Sequence, residues 1–210
     1  MRREILEKTI KRYDEFAEEY HKKYGYMPES EKPYLTKFFE LMSKDSPRVL
    51  DTGCGTGRDL KFLENFEIES YGIDLSRGML SIAKRNLKKT NLVRGNYLRL
   101  PFKDNTFDGI INIASLVHIP HQDKFLALNE FKRVLKPKGI LYISIQNLLY
   151  PERFEKVLKY STKEGVYFDG RYWYFPTLYE MRNLIEDAKF EIIDFEKNLF
   201  SNRLKFYARA

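Results

Sequence analysis

A glycine-rich turn and two acidic residues form the part of this sequence that is best suited to bind a ligand. The turn follows Asp51 and carries Gly53, Gly55 and Gly57 at alternate positions. Glycine has no Cβ, so it can adopt positive φ and let a ligand lie against the main-chain N–H groups at the start of a helix. Asp74 ends a second apolar run, where its carboxylate can accept hydrogen bonds from both hydroxyls of a ribose. These residue types indicate a site for a nucleoside.

The spacing of the glycines argues against a dinucleotide ligand. The dinucleotide fingerprint requires glycine at the sixth position counted from Gly53, and Arg58 occupies that position. The pattern is G-x-G-x-G instead. We therefore expect a nucleoside that lacks a pyrophosphate.

Apolar patterns around the turn predict the elements that must position it. Val49 and Leu50 form a short strand before the turn, and Leu60 and Leu63 follow it with helical spacing. After Asp74, Ser76 is a good N-cap for a second helix. The sequence thus predicts two strand–loop–helix units side by side.

A later apolar segment carries the one histidine that is suited to catalysis. Residues Phe107 to Ala114 are nearly continuous in apolar side chains, which is typical of a buried strand in a parallel sheet. Ser115 and His118 follow its carboxyl end. Because ligands of open parallel sheets bind outside the carboxyl ends of the strands, we expect His118 to lie near the chemistry.

Four segments in this order resemble the successive motifs of class I S-adenosylmethionine-dependent methyltransferases, most closely those of the type 11 group. They read VLDTGCGTGRDL, YGIDLSRGMLSIAK, VRGNYLRLPFKDNTFDGIINIASLVHIP and FKRVLKPKGILYIS, and they span Arg48 to Ser144. The resemblance implies an α/β fold, Rossmann-like and doubly wound. Its sheet would have seven mostly parallel strands with an antiparallel last strand, under an N-terminal helical lid.

The resemblance also implies the cofactor S-adenosylmethionine and assigns residues to it. The implied cofactor-binding residues are Tyr13, Tyr20, Asp51, Gly53, Cys54, Gly55, Gly57, Arg58, Asp74, Leu75, Ser76, Met79, Asn96, Tyr97, Leu98 and Ala114. The family usually has aspartate at the position of Asn96, where the side chain accepts from the adenine amino group. Asparagine can still accept through its carbonyl oxygen, without the charge. The family also usually has glycine where Lys138 stands, a departure that affects turn geometry.

The N-terminal segment has the pattern of an amphipathic helix. Apolar residues recur from Leu6 to Tyr24 at alternating spacings of four and three, which makes one stripe along a helix. In type 11 enzymes the similar segment lies over the cofactor, so Tyr13 and Tyr20 are expected to act as lid residues with rings near the sulfonium. Ordinary helix packing is the alternative.

The segment that follows the shared motifs predicts a β-hairpin. Asp169 and Gly170 stand between aromatic-rich runs, which is a strong signal for a two-residue turn. The resemblance assigns this segment to the acceptor pocket, and packing of an edge strand is the alternative. Ser115 is expected to face the same pocket, because the preceding strand ends are assigned to the cofactor and leave the space beyond this one for the acceptor. The expected acceptor residues are Ser115, Arg171, Tyr172, Trp173 and Tyr174.

Length and composition indicate one domain without a metal. The chain has 210 residues, enough for a single substantial core, with no apolar run long enough to cross a membrane and no signal-like start. We expect a cytoplasmic protein. The single cysteine, Cys54, cannot form an internal disulfide, and no His/Cys cluster has zinc-ligand spacing. The expected divisions are a lid (1–46), a cofactor-binding core (47–146), an acceptor-side insertion (147–176) and a C-terminal helix and hairpin (177–210).

Because of the positive charge, a nucleic acid is an alternative methyl acceptor. The formal net charge is +7, and the stretch between Asp74 and Asp104 holds eight basic residues and no acidic one. A solvated basic face is the favoured interpretation, because no RNA-binding motif accompanies the charge. The rival is an RNA methyltransferase, for example one that acts on tRNA, and the third alternative is a cofactor-binding partner protein without activity. The oligomeric state is open.

Missing motifs narrow the expected reaction to a small-molecule oxygen or nitrogen. Methylation of exocyclic base amines usually relies on an Asp/Asn-Pro-Pro-aromatic run, and residues 112–115 read Asn-Ile-Ala-Ser. Methylation at pyrimidine C5 needs a cysteine nucleophile, and Cys54 lies in the cofactor loop. His118 is the candidate catalytic base, since its ordinary pKa of ~6.5 suits neutral pH. The alternative is a structural histidine bonded to the backbone.

Overall fold

A seven-stranded sheet forms the centre of the computed structural model, which describes residues 2–42, 45–162, 165–195 and 202–210. The strands are β1 (Arg48–Thr52), β2 (Glu69–Asp74), β3 (Asn91–Arg94), β4 (Phe107–Ile113), β5 (Leu135–Gln146), β6 (Val166–Phe168), β7 (Arg171–Trp173), β8 (Glu191–Phe195) and β9 (Arg203–Arg209). The sheet order is β3-β2-β1-β4-β5-β9-β8. Strands β1 to β5 pair in parallel, and β9 is antiparallel to both of its neighbours. The predicted mostly parallel sheet with an antiparallel last strand is confirmed.

Helices lie on both faces of this sheet. They are α1 (Arg2–Glu15), α2 (Ala17–Tyr24), α3 (Lys32–Leu41), α4 (Arg58–Leu63), α5 (Arg77–Asn86), α6 (His121–Val134), α7 (Pro151–Tyr160) and α8 (Leu178–Asp187). In the part of the chain that the structure describes, none of these helices is long and apolar enough to cross a membrane.

Adjacent residues of the central strands belong to two separate hydrophobic clusters, one on each face of the sheet. Ile110 of β4 packs in one cluster with Phe131 of α6, while its neighbour Ile111 packs in the other with Phe38 of α3. This is the alternation expected of strands, whose successive side chains point to opposite faces. All four side chains are fully buried. The doubly wound arrangement therefore follows from near-continuous apolar strands that are covered on both sides.

The predicted helix starts carry the expected caps. The Ser76 hydroxyl accepts from the N–H of Met79 at 3.1 Å, which caps α5 directly after β2. Thr177 and Glu180 form a reciprocal capping box at the start of α8. These local hydrogen bonds satisfy backbone donors that a helix start leaves unpaired.

The N-terminal segment differs from the single helix that the apolar stripe predicts. It forms α1 and α2, which are separated at Phe16, where φ is −115°. The two helices have different neighbours, since α1 contacts both α5 and the hairpin strand β7, whereas α2 contacts α5. The apolar stripe continues across the break, because the rings of Tyr13 and Tyr20 are in contact, with centroids 5.8 Å apart.

The predicted hairpin is present as β6 and β7. Phe168 pairs with Arg171 across the turn. Asp169 and Gly170 both have positive φ, 52° and 80°, as a type I′ turn requires. The N–H at Nε of Arg12 in α1 donates to the backbone oxygen of Asp169 at 3.0 Å. The hairpin is thus fastened to the N-terminal helix.

Candidate active site

The loop after β1 brings bare backbone to an open space. The N–H groups of Gly53 and Cys54 both donate to the oxygen of Ile73, at 2.8 and 3.1 Å, which ties the loop to β2. Gly55 has a φ of 53°, and a Cβ added there would have no atom within 4 Å. Glycine at this position therefore leaves room for a ligand beside the main chain.

The other two glycines of the loop are required by close packing. A Cβ at Gly53 would lie 2.1 Å from the Ser115 hydroxyl, and one at Gly57 would lie 2.7 Å from Cδ1 of Leu87. Gly53 still lines the cavity described below, whereas Gly57 faces α5. Glycine is therefore required at Gly53 and Gly57 by close packing, whereas at Gly55 it leaves space for a ligand.

Asp74 joins the loop to the start of α5. Its Oδ2 accepts from the N–H of Gly55 and its Oδ1 from the N–H of Ser76, both at 2.9 Å. Burial raises the pKa of this carboxyl, and the backbone hydrogen bonds oppose that rise. Each carboxylate oxygen has a further lone pair, so Asp74 can also accept from ribose hydroxyls.

Asp51 holds a buried acceptor at the foot of the loop. Its side chain is 1% exposed, and Oδ2 has no hydrogen-bond partner among the described residues. Burial raises the pKa of Asp51 well above its usual range, and the charge of Asp59 raises it further. Cys54 beside it is a buried thiol whose pKa is also raised by burial, so it remains protonated.

We name the space beside Gly55 the cofactor cavity. It has about 670 Å³, open mouth included, which falls within the usual range for small-molecule sites. Its walls bring together many residues that the sequence predicted for the cofactor, and Ser115 and His118 join them. The predicted residues in these walls are Tyr13, Tyr20, Gly53, Gly55, Asp74, Leu75, Met79, Tyr97, Ala114, Ser115 and His118.

The remaining predicted cofactor residues have other positions. Asp51, Cys54, Gly57 and Ser76 lie behind the cavity wall, in the loop and cap contacts just described, and Leu98 lines a neighbouring pocket. Asn96 uses its side-chain oxygen to accept from the N–H of Leu98 at 2.9 Å. Arg58 forms a bidentate ion pair with Asp59 and lines a second cavity.

Tyr13, His118 and Arg171 form one hydrogen-bonded chain. The Nδ1 of His118 lies 2.8 Å from the oxygen of Tyr172, which can only accept, so Nδ1 carries the proton. The Tyr13 hydroxyl lies 2.6 Å from Nε2 and donates to it, while it accepts from Arg171 at 2.9 Å. Both ring nitrogens of His118 are therefore occupied, one of them by the backbone contact that a structural histidine would make.

Burial determines the protonation states of His118 and Tyr13 in this hydrogen-bonded chain. It lowers the pKa of His118 to about 3, so the imidazole is neutral at physiological pH. It also raises the pKa of Tyr13, although the charge of Arg171 opposes that rise. The hydroxyl thus remains a donor to a neutral imidazole.

A second and more polar space lies beyond Tyr13 and His118. We name it the acceptor cavity, because the residues Arg171 and Trp173, which the sequence predicts for the acceptor, line it. It has about 1120 Å³, open mouth included. Arg171 and Trp173 of β7 line it together with Phe175, whereas Tyr172 and Tyr174 do not. The cause is the alternation of side chains along extended backbone, which points residues 172 and 174 away. That alternation was readable in the sequence.

Two side chains on α7 and one at the end of β5 also line this cavity, and no sequence pattern predicted them. Arg153 and Lys156 lie one turn apart on α7, and Gln146 ends β5. On the other side of the site the sequence also missed Thr9, whose hydroxyl accepts from the N–H of Tyr172 at 3.1 Å. These contacts join segments that are distant in the chain, so no local pattern marks them.

A buried lysine holds the turn that carries His118. The ammonium of Lys124 donates to the backbone oxygens of Leu116 and Ile119, both at 2.6 Å, and lies over the ring of Tyr174. Burial lowers the pKa of Lys124 to about 7. Lys124 is a positioning residue that the sequence did not reveal, since an isolated lysine in a helix is usually exposed.

Comparison with known proteins finds similarity to methyltransferases. Residues 50–143 match the family model described as a methyltransferase domain, type 11. An uncharacterized methyltransferase of Schizosaccharomyces pombe is 31% identical over 160 residues, covering 68% of this chain and 55% of that protein. The sterol 24-C-methyltransferase of the same organism is 36% identical over 109 residues, covering 49% of this chain and 28% of the enzyme.

The solved structures extend the match beyond the shared motifs. The PH0226 protein from Pyrococcus horikoshii OT3 superposes with a TM-score of 0.72 at 25% identity, covering 86% of this chain and 88% of that one. The chain spans about half the length of the curated relatives that it matches first. Residues 50–143 are thus similar to a methyltransferase domain of the type 11 group, and the fold is similar to that of the PH0226 protein.

Proposed function

We propose that the protein transfers the methyl group of S-adenosylmethionine to an oxygen or nitrogen atom of a small-molecule acceptor. The observation that carries this proposal is the junction of the two cavities. Tyr13, Tyr20, Ala114 and His118 line both of them. Methyl transfer requires a donor and an acceptor held with reacting atoms ~3–3.5 Å apart, and the shared lining residues support the proposal because they make the two cavities direct neighbours.

The residues of the cofactor cavity fit S-adenosylmethionine. Asp74 offers carboxylate oxygens to ribose hydroxyls, and Gly55 leaves space at the main chain. The rings of Tyr13 and Tyr20 are suited to face a cation. When bound, S-adenosylmethionine supplies an electrophilic methyl group on a positively charged sulfur.

The chain contributes position and water exclusion more than acid–base chemistry. His118 can receive a proton from the acceptor only through Tyr13 or after Tyr13 moves aside, because the Tyr13 hydroxyl occupies Nε2. A neutral imidazole whose pKa is lowered to about 3 is also a weak base. We therefore assign His118 the orientation of Tyr13 first, and a proton-accepting role only in a rearranged site.

A small-molecule acceptor has support from relatives and from the site. Relatives with a named acceptor include sterol methyltransferases, which act on small molecules. The acceptor cavity is bounded by the hairpin and the N-terminal helices, with Trp173 only 8% exposed in its wall. Such a bounded cavity suits a compact ligand better than a polymer.

The proposal is tested in two measurements on the purified protein. Calorimetry is expected to show binding of S-adenosylmethionine and S-adenosylhomocysteine and none of NAD. Tritium-labelled S-adenosylmethionine is then incubated with a small-metabolite extract and, separately, with total RNA, and we expect label in the small-molecule fraction. Label in RNA, together with RNA binding that weakens steeply with salt, would establish the rival function instead.

A further inference from the structure

The acceptor cavity concentrates positive charge. Six cationic residues line it, and Asp169 is the one acidic residue among its described lining residues. The cations are Lys23, Arg58, Arg153, Lys156, Arg171 and Arg203. Such a set on the walls of one cavity produces a positive potential inside it, which attracts an anion.

Part of this charge is already neutralised within the protein. Arg58 pairs with Asp59, and Arg171 pairs with Asp169. In contrast, Arg153 and Lys156 have no carboxylate partner among the described residues, and each lies over an aromatic ring, at 5.3 and 4.7 Å from the ring centroid. Both side chains are half-buried.

The surroundings of Arg153 oppose its charge. Burial lowers its pKa, and the neighbouring charge of Arg203 lowers it further. Two guanidinium groups at one cavity wall repel each other unless an anion lies between them. The guanidinium fork matches the oxygens of a carboxylate or a phosphate, which makes Arg153 a suitable anion ligand.

Two residues that line the same cavity each carry a buried polar atom without a partner among the described residues. Oε1 of Gln146 and Nε1 of Trp173 have no hydrogen-bond partner among the described residues, although each residue is only 8% exposed. Buried polar atoms are nearly always paired in native proteins, so their partners are expected from a ligand or water. One is an acceptor and the other a donor, which suits a polar group of the ligand.

The remaining wall is flat and aromatic. The ring of Trp173 stacks on Phe168 with centroids 4.8 Å apart and an interplanar angle of 12°. Phe175 lies on the same side at 5.7 Å from Trp173. Aromatic walls of this kind favour a planar or apolar ligand body.

We propose that the methyl acceptor is an anion, with a carboxylate or phosphate group held by Arg153 and Lys156 and a planar body against Trp173. A polar group of this body reaches Gln146 and the Trp173 indole N–H. The assignment rests on the proposed methyl transfer and adds its substrate class. A polynucleotide is the less favoured anion, because the unpaired atoms of Gln146 and Trp173 are buried.

The intrinsic fluorescence of the protein reports this cavity, because Trp173 is the only tryptophan in the chain. The protein is saturated with S-adenosylhomocysteine and titrated with benzoate, phenyl phosphate and the neutral analogue benzamide. We expect saturable changes in emission, with at least one anion binding tenfold or more tightly than benzamide. The tighter of the two anions distinguishes a carboxylate from a phosphate acceptor.

Matched variants on α7 locate the anion site. Arg153→Gln and Lys156→Gln are each expected to weaken binding of the anions at least fivefold and to leave benzamide binding unchanged. Lys159→Gln is the control, since Lys159 lies on the same helix, is exposed and does not line the cavity. Equal binding of anions and benzamide, no saturable response to either anion, or an equal effect of all three variants would overturn the proposal.

Two further readouts separate this inference from the proposed function. Calorimetry of S-adenosylhomocysteine on each variant shows whether the cofactor site is intact. If the cofactor product binds and the anions do not, the anionic acceptor is wrong while methyl transfer stands. If the cofactor product does not bind at all, the proposed function itself fails. A fluorescence response to tRNA that Arg153→Gln removes would show that a polymer occupies the cavity and would overturn the small anion.

Discussion

The cofactor cavity and the acceptor cavity share a wall but are built in different ways. The first combines backbone and short side chains at strand ends, such as Gly55, Asp74 and Ala114, with a cover of larger side chains from α1 and α2. The second is formed mainly by long side chains from elements added around the core, such as Arg153, Arg171 and Trp173. Backbone geometry tolerates little change, whereas long side chains on added elements can be exchanged without altering the sheet. One fold can therefore keep its cofactor and change its acceptor.

The largest expected effect lies in the shared wall and appears as a pH dependence of stability. The pKa of His118 is lowered to about 3 by burial, against about 6.5 in the unfolded chain. Between these pH values His118 is protonated in the unfolded state but not in the folded state. The free energy of unfolding therefore falls as the pH drops from 6.5 toward 3. The loss is on the order of 5 kcal/mol over the whole window. Urea unfolding at several pH values measures it.

The variant His118→Gln isolates this contribution from the carboxylates that titrate in the same range. Its stability is expected to depend less on pH than that of the unmodified protein. His121→Gln removes an exposed histidine and is expected to keep the full dependence. Identical slopes for all three proteins would show that folding does not lower the pKa of His118, and the hydrogen bonds assigned to the wall between the cavities would then be wrong.

The second effect tests whether the two cavities are independent. Asp74→Ala is expected to weaken binding of S-adenosylhomocysteine by about 1.5–3 kcal/mol, or about 10- to 150-fold, because hydrogen bonds to a charged group are lost. Arg153→Gln lies in the other cavity and is expected to leave that affinity within about twofold. Calorimetry gives both values. If thermal melts of Asp74→Ala show a stability loss as large as the affinity loss, its bonds to Gly55 and Ser76 make it structural.

The contrast between the cavities also explains what the sequence revealed. The strand, the turn and the helix around Gly55 are local, so residue spacing and cap chemistry predicted them correctly. The same logic predicted the hairpin turn at Asp169 and Gly170, where positive φ is required at both positions. Side chains alternate along β7, so Arg171 and Trp173 face the acceptor cavity while Tyr172 and Tyr174 face the other side. The sequence contained this information as well.

The remainder of the acceptor cavity depends on contacts between distant parts of the chain. Arg153 on α7 and Gln146 at the end of β5 meet the hairpin only after the sheet has formed, and nothing in their own neighbourhoods marks them. The break at Phe16 is similar, because the apolar stripe continues through it. Sequence reasoning therefore succeeded where local backbone geometry decides the structure and failed where packing between added elements decides it.

The smallest effect concerns α1, which touches both regions and so joins them. Its Asp14 accepts from the Ser76 hydroxyl at 2.6 Å and from the N–H of Gly78 at 2.8 Å, at the start of α5 beside the cofactor cavity. Its Thr9 accepts from the backbone of the hairpin at the acceptor side. A carboxylate at a helix N-terminus contributes about 1 kcal/mol through capping and the helix dipole. Contacts between Tyr13 and a bound cofactor would add to these hydrogen bonds, so cofactor binding is expected to add measurably to the order of the helix.

Hydrogen exchange over residues 13–24 tests this expectation. We expect faster exchange without S-adenosylhomocysteine and slower exchange with it, because Tyr13 and Tyr20 complete the cofactor cavity. Asp14→Ala is expected to speed exchange about fivefold and to weaken cofactor binding by a similar factor, since the same 1 kcal/mol closes the helix over the site. Glu15→Gln, an exposed neighbour paired with Lys11, serves as the control. Strong protection that is the same with and without ligand would mean that α1 is a permanent part of the core, and the two cavities would then be fixed in shape before either ligand binds.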